Sequence, residues 1–209
     1  HAHMIYSSLP NVMVAPIKIA ADLIPYLKEA TQILVGPGLG CSAWSESILK
    51  TVCKYEKPLI LDADALNILA KNGKILQHSA ILTPHPGEAA RLLKISTEQV
   101  ENNRWSCLQK LQQKFPSAII ALKGCGTLIS FPDSSEPINI CPYGSPALAI
   151  PGSGDCLAGI ILSLIGQQLS LEKSACTAVY LHAIAGEVAE HHFGTSGVTI
   201  QEIMPIIRI

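Results

Sequence analysis

Four short apolar runs, Gln32-Ile33-Leu34-Val35, Pro58-Leu59-Ile60-Leu61, Ala80-Ile81-Leu82 and Ala118-Ile119-Ile120-Ala121-Leu122, each stop abruptly at a loop built from Gly, Pro, Asp, His or Lys. Stretches with helical spacing of apolar residues lie between them. A strand that is apolar throughout has no side to turn to water, so both of its faces must be covered by other elements. The repeated order of strand, loop and helix therefore predicts an α/β fold of three layers: a mostly parallel sheet, helices on both faces, and a ligand cleft along the carboxyl edge where the loops collect. Hydrophobic residues make up 48% of the 209 and charged residues only 15%, as a doubly covered sheet requires. No internal repeat or linker-like stretch divides the chain, which reads as one domain over residues 1–209.

The loops carry the chemistry. Gly36-Pro37-Gly38-Leu39-Gly40 brings backbone close to a ligand but lacks the spacing of a dinucleotide fingerprint. Ser42 is placed to cap a helix running through Lys54. The second run ends in Asp62-Ala63-Asp64-Ala65-Leu66-Asn67, where one acid either caps the helix from Ala65 or faces a ligand. In Thr83-Pro84-His85-Pro86-Gly87-Glu88 two prolines fix the backbone around His85 and hold its imidazole at the strand end. Lys123-Gly124-Cys125-Gly126-Thr127 combines a cation, two glycines and a hydroxyl, a set suited to nucleotide phosphates although it is not a Walker A loop. Gly152-Ser153-Gly154-Asp155 opens into the apolar run Cys156 to Ile165, a loop leading straight into a helix N-terminus. Such an end presents unpaired N–H groups and a positive partial charge to an anion. Asp155 there either caps the helix or acts as a base beside a bound phosphate.

The rest reads as scaffold. Val12–Ala15 is strand-like, Ile17 to Ala30 is helical with an interruption at Pro25, and Glu98 to Lys114 is one helix. Leu128–Phe131 and Ile138–Ile140 form a hairpin around the turn 132–137, Leu171 to Phe193 is a long helix, and a shorter segment follows Thr199. His1-Ala2-His3-Met4 is either native chain or a cloning scar.

Several classes drop out on composition. The net charge is −1 with no basic stripe, which argues against nucleic acid as a partner. No apolar run reaches the ~18 to 20 residues of a membrane helix. Seven cysteines, scattered and without a C-x-x-C pair, point to reduced thiols in a cytoplasmic protein and not to a disulfide framework or zinc site. The apolar composition leads us to expect a homo-oligomer.

Taken together, Gly36-Pro37-Gly38-Leu39-Gly40 with Trp44, Asp62 to Asn67, Leu82-Thr83-Pro84-His85-Pro86-Gly87-Glu88-Ala89, Leu122 to Thr127 and Gly152 to Asp155 resemble, in order and spacing, the ADP-dependent NAD(P)H-hydrate dehydratases of the ribokinase-like superfamily. The resemblance implies dehydration of (6S)-NADHX or NADPHX to NADH or NADPH, with ADP converted to AMP and phosphate. By the same likeness Asp155, with Gly152 and Gly154, is catalytic; Lys123, Gly124, Cys125, Gly126, Thr127 and Gly154 hold the nucleotide; and Gly40, His85, Asp64, Asn67 and Asp155 contact the hydrate. Mg²⁺ is expected to come with the phosphates, without a protein cage of its own. Family members begin with a strand, a glycine-rich segment and a helix that do not precede His1, so the resemblance implies an N-terminally incomplete domain with impaired or absent activity: either a piece of a longer chain, with an NAD(P)HX epimerase domain upstream as one form of it, or a chain that has lost its first residues. Ile150 and Pro151 depart from the family pattern by removing a hydroxyl and a donor N–H. A ribokinase-like small-molecule kinase of the hydroxymethylpyrimidine or hydroxyethylthiazole type, and a non-catalytic nucleotide-binding module, are the alternatives.

Overall fold

The computed structural model of the protein describes residues 11–73, 78–132 and 136–207, with residues 5, 7, 9 and 76. Residues 1–4 and the middle of the 132–137 turn lie outside them. The strands β1 (Ile33–Val35), β2 (Leu59–Leu61), β3 (Ala80–Leu82), β4 (Ala118–Leu122), β5 (Leu128–Ser130) and β6 (Asn139–Ile140) pair in chain order. The first four run parallel; β5 and β6 are antiparallel, the expected hairpin.

Register sorts the side chains. Leu34, Ile60, Ile81 and Ile119 stand opposite one another across four strands, and so do Val35, Leu61, Leu82 and Ile120. Because successive side chains on a strand point to opposite faces, these rows feed two separate cores. One holds Leu59, Leu61, Leu82, Ile120 and Leu122 beneath the crossover helices. The other holds Ile60, Ile81, Ile119 and Ala121 beneath the two helices that end the chain's main body.

Chain order explains which helix lies where. Parallel crossovers of one hand that always advance in the same direction put every connecting helix on the same face. After α1 (Ile24–Glu29), the helices α2 (Ala43–Val52), α3 (Asp64–Asn72), α4 (Pro86–Leu93), α5 (Thr97–Asn102) and α6 (Arg104–Lys114) follow the strands in turn. Side chains of α2, α3, α4 and α6 fill the first core. The opposite face is covered by α7 (Ser153–Gly166) and α8 (Leu171–Phe193). Small residues at Ala175, Ala178 and Ala183 of α8 let it sit close to the sheet. A third cluster of Ala147, Ala185, Ala189, Val198 and Ile203 ties the 146–150 segment and α9 (Ile200–Ile203) to the end of α8.

Some expectations change in detail. Val12–Ala15 forms no strand: Val12 is half exposed, Met13 wholly exposed, and no described neighbour supplies a ladder. The segment after Ile17 is a 3₁₀ turn, Ala20–Leu23, leading into α1 with Pro25 in its first turn, where a missing N–H costs little. Glu98 to Lys114 is two helices. Asn103 leaves helical geometry (φ −147°, ψ 62°) and its side chain accepts from the Ser106 amide, starting α6 as an N-cap.

Candidate active site

The floor of the site is a buried ion pair at the carboxyl edge. Asp62, one residue past β2 and 1% exposed, accepts from Lys123 Nζ (2.8 Å) and from Thr83 Oγ1 (2.7 Å) on one carboxylate oxygen. Lys123 is the residue after β4, with its amide held by the carbonyl of Pro84 at 2.8 Å. Its ammonium also lies 3.9 Å from Glu88 Oε2. Burial raises the Glu88 carboxyl while Lys123 and the His85 amide lower it again. One cation thus serves two buried acids, and removing it would strand charge out of water at a cost of several kcal/mol.

Neither acid of the second loop caps a helix. The N-cap of α3 is Ala63, with no side-chain bond, while Asp64 sits in the first turn. Ala63 has φ 48° and ψ −118°, a conformation normally left to glycine, and stored strain of this kind costs about 1–3 kcal/mol. Gly36 is what makes room for it: a Cβ there would fall 1.7 Å from the Asp62 carbonyl oxygen.

At α4, His85 is the N-cap. Its Nδ1 accepts from the Gly87 amide (3.0 Å), and its own amide donates to Glu88 Oε2 (2.8 Å), a capping box. Burial, then Lys123 and Arg91, lower the imidazole pKa, so the ring is neutral near pH 7 with its proton on Nε2, 3.4 Å from Glu88 Oε1.

The α7 end is different. Gly152, left-handed at φ 84°, is its N-cap and supplies no side chain. Asp155 lies in the first turn, exposed, with no hydrogen-bond or ionic partner among the described residues, so the capping role considered above is not what it does. A Cβ on Gly154 would meet Lys123 Nζ at 3.0 Å, so the absent side chain lets the ammonium approach the helix end. Ser153 Oγ pairs with His182 Nε2 of α8 at 3.2 Å, both groups buried. Burial first, then Lys123, lowers the His182 pKa to about 4.

These groups surround one cavity of about 880 Å³. His85, Lys123 to Thr127, Gly154 and Asp155 all line it, together with Asp62, Glu88, Ser153 and His182. Its far wall is the segment 142–151, including Ile150 and Pro151. That wall is fastened to α8: the Gly144 amide donates to Glu187 (2.9 Å), Ser145 Oγ to Glu190 (2.6 Å), and Leu148 occupies the space a Cβ on Gly186 would need.

Gly40, Asp64 and Asn67 stand apart from the lining, in a second cluster. The Gly40 amide donates to Asp64 Oδ2 (2.8 Å), Asn67 Nδ2 to Asp64 Oδ1 (3.3 Å), and Arg91 to Asn67 Oδ1 (3.0 Å). Gly152 likewise is not part of the lining; it is exposed and shapes the turn. Sequence reasoning offered one acid of the Asp62 to Asn67 loop a cap or ligand role without choosing Asp62, and gave none to Glu88, His182 or Arg104 or to the Ser153 side chain. Of these last four only Glu88 carried a signal, its place three residues after an N-cap. Among the described residues no group of three or more His, Cys, Asp or Glu is arranged to hold a metal ion, and no helix is long and apolar enough to cross a membrane.

A parallel sheet with both faces covered, and a cation, a glycine loop and an open helix end at its carboxyl edge, define a ribokinase-like α/β protein. A ribokinase-like superfamily protein from Enterococcus faecalis superposes with a TM-score of 0.83 at 28% identity, over 97% of this chain and 70% of that one. A family profile described as NAD(P)H-hydrate dehydratase matches residues 1–208, and the chain belongs to that family. An ADP-dependent (S)-NAD(P)H-hydrate dehydratase of Neisseria meningitidis is 34% identical over 98% of this chain and 69% of its own length. The bifunctional NAD(P)H-hydrate repair enzyme Nnr of Coxiella burnetii is 40% identical; all of this chain aligns, and it spans 42% of that relative's length. The Bacillus subtilis ADP/ATP-dependent NAD(P)H-hydrate dehydratase co-crystallised with ATP and Mg²⁺ has a TM-score of 0.75 at 30% identity, over 84% of this chain and 62% of that one.

Proposed function

We propose that the chain catalyses the ADP-dependent dehydration of (6S)-NADHX or NADPHX to NADH or NADPH, releasing AMP and phosphate. The observation that carries this reading is the convergence of Lys123, the Gly124–Thr127 loop, the open α7 end and the unpaired Asp155 carboxylate on one cavity. Family membership supplies the substrate class.

The hydrate's ring hydroxyl is a poor leaving group. Asp155 takes its proton as the hydroxyl oxygen attacks the β-phosphorus of ADP and the bond to AMP breaks; the phosphate ester then leaves its ring carbon as inorganic phosphate, the adjacent ring carbon gives up a proton to solvent, and the ring double bond returns. The amides at the start of α7 and the Lys123 ammonium oppose the negative charge of the transferring group. Gly124, Cys125, Gly126 and Thr127 hold the nucleotide, and Gly154 keeps Lys123 against the phosphates. His85 contacts the hydrate, its neutral ring offering a hydrogen bond without a charge. Gly40, Asp64 and Asn67 extend the hydrate surface beyond the cavity. Mg²⁺ suits a site with one uncommitted carboxylate, Asp155, because it binds chiefly through substrate phosphates and supplies charge neutralisation there.

We place this chain in the cytoplasm on the strength of its scattered, unpaired cysteines, acting as a homo-oligomer and, in a longer polypeptide, beside an epimerase domain. The test is recovery of absorbance at 340 nm from NADHX with ADP or ATP. Recovery with stoichiometric AMP supports dehydration; a stable phosphorylated product would make the protein a small-molecule kinase; and nucleotide binding without either product would make it a binding module.

A further inference from the structure

Arg104 opens α6 on the far side of the nucleotide loop, and its guanidinium reaches back to main-chain oxygens of that loop. Nη2 donates to the Leu122 carbonyl (2.9 Å) and Nη1 to the Cys125 carbonyl. Thr127 Oγ1 takes the Gly124 carbonyl (3.3 Å), and the Cys141 amide takes that of Thr127 (3.0 Å). By contrast, none of the amides of Gly124, Cys125, Gly126 and Thr127 donates to any described residue. The loop is therefore polarised: its acceptors are largely occupied from within the protein, and its donors are uncommitted beside the cavity. Gly124 and Cys125 are exposed and Gly126 and Thr127 half-buried, so these four amides are open at the cavity to an acceptor from outside the fold.

The guanidinium is itself unusual. Its Nε is buried without a partner, and no carboxylate among the described residues forms a salt bridge with it. A desolvated cation lacking a counter-ion raises the positive potential of whatever lies beside it. Gly124 permits the approach, since a Cβ there would stand 3.1 Å from Nη2 and 3.2 Å from Cζ. A planar fork holds two carbonyls in one fixed geometry, whereas a lysine ammonium is a compact donor on a flexible stem that fixes neither.

We infer that Arg104 is the positioning residue of the nucleotide loop, a guanidinium fork that fixes the Leu122 and Cys125 carbonyls and so presents the loop's four amides to the diphosphate. The inference rests on the nucleotide reading of that loop. It assigns the selectivity to phosphate and none to the base or ribose, because the fork touches only the stretch of main chain that meets the anion.

The experiment is isothermal titration of the 209-residue chain with ADP and, separately, with adenosine. Losing one charge-assisted hydrogen bond costs roughly 1.5–3 kcal/mol, so Arg104→Lys is expected to weaken ADP roughly ten- to a hundredfold and to leave adenosine within about twofold. Arg104→Gln, which keeps a planar amide but removes the charge and the fork, is expected to give the same selective loss and decides the matter if Arg104→Lys fails to fold. Unchanged ADP affinity in the folded variants, or equal loss of ADP and adenosine, would overturn the role. If the unsubstituted chain bound adenosine but not ADP, the phosphate reading of the loop would fall and Arg104's role with it.

Discussion

At the start of α4 an extended N-cap, His85 (φ −80°, ψ 168°), receives a carboxylate from Glu88 three positions later; at the start of α7 a left-handed N-cap, Gly152 (φ 84°, ψ −8°), receives nothing from Asp155 at the same spacing. Both helices begin at one sheet edge and both carry an acid in the first turn. The backbone of a single residue separates them. A capping box needs an N-cap in the β region so that its amide faces the acid, and the left-handed turn at Gly152 directs that amide elsewhere. One helix end is closed from within and stabilises the fold, while the other is left open and keeps its acid for chemistry. The spacing alone is identical in the two loops, so the distinction lies in the glycine.

The largest test of this contrast is Asp155→Asn. It is expected to abolish recovery of 340 nm absorbance, a loss of roughly 10³-fold or more, while ADP binding persists. Normal turnover by the variant would remove Asp155 from the mechanism and make the open end a mere accident of packing.

Next is the pH dependence of stability, through the His182 that anchors Ser153 at the first residue of α7. In the unfolded chain an imidazole titrates near 6.5, whereas here burial holds it to about 4. Below about pH 6.5 the unfolded state takes a proton that the folded state refuses. Stability should fall as pH drops from about 6.5 to 4, by as much as ~3 kcal/mol, and then level off. Urea titrations across that range, compared with His182→Gln, check it; an unchanged slope in the variant assigns the effect to other groups.

At the closed end, Glu88→Ala deletes one half of the capping box and a neighbour of Lys123. A loss of about 1–2 kcal/mol in unfolding free energy from urea titration is expected, with the larger share structural. A fall in turnover with no fall in stability would mean that Glu88, like His85 beside it, serves the chemistry and not the fold.

The smallest effect is that of Gly152→Ser. A serine at an ordinary N-cap adds ~1 kcal/mol, but here it would have to adopt φ 84°, so the variant should be less stable than the parent by about 1 kcal/mol. A gain in thermal midpoint would show that the left-handed turn is incidental.

Much of the frame was legible from local pattern. The four apolar runs became β1 to β4 with the stop signals where the loops begin, and Leu171 to Phe193 became α8 at its expected ends, because a buried strand or a long helix leaves its period in adjacent residues. His85, Lys123 to Thr127, Gly154 and Asp155 were legible as strand-end chemistry and do line one cavity. What escaped was every pairing between distant segments. Asp62 meets Lys123 across 61 positions, Ser153 meets His182 across 29, and Arg104 meets Cys125 across 21. No local spacing encodes those. The Asn103 break escapes because helical periodicity continues on both sides of it, and Gly40, Asp64 and Asn67, which the family resemblance places with the hydrate, stand outside the cavity lining, hydrogen-bonded to each other.

Strand order has a consequence for how such a chain comes into being. Since every described strand pairs with its neighbour in sequence, the sheet can lengthen during synthesis one strand at a time, each parallel step closing a single crossover. The ligand cavity cannot keep pace. Its floor is complete only when Lys123 has followed β4, and its roof waits for α7 and α8, which must fold back over strands made long before. A nascent chain released early would thus carry most of its sheet with one apolar face bare, ordered enough to persist and exposed enough to aggregate.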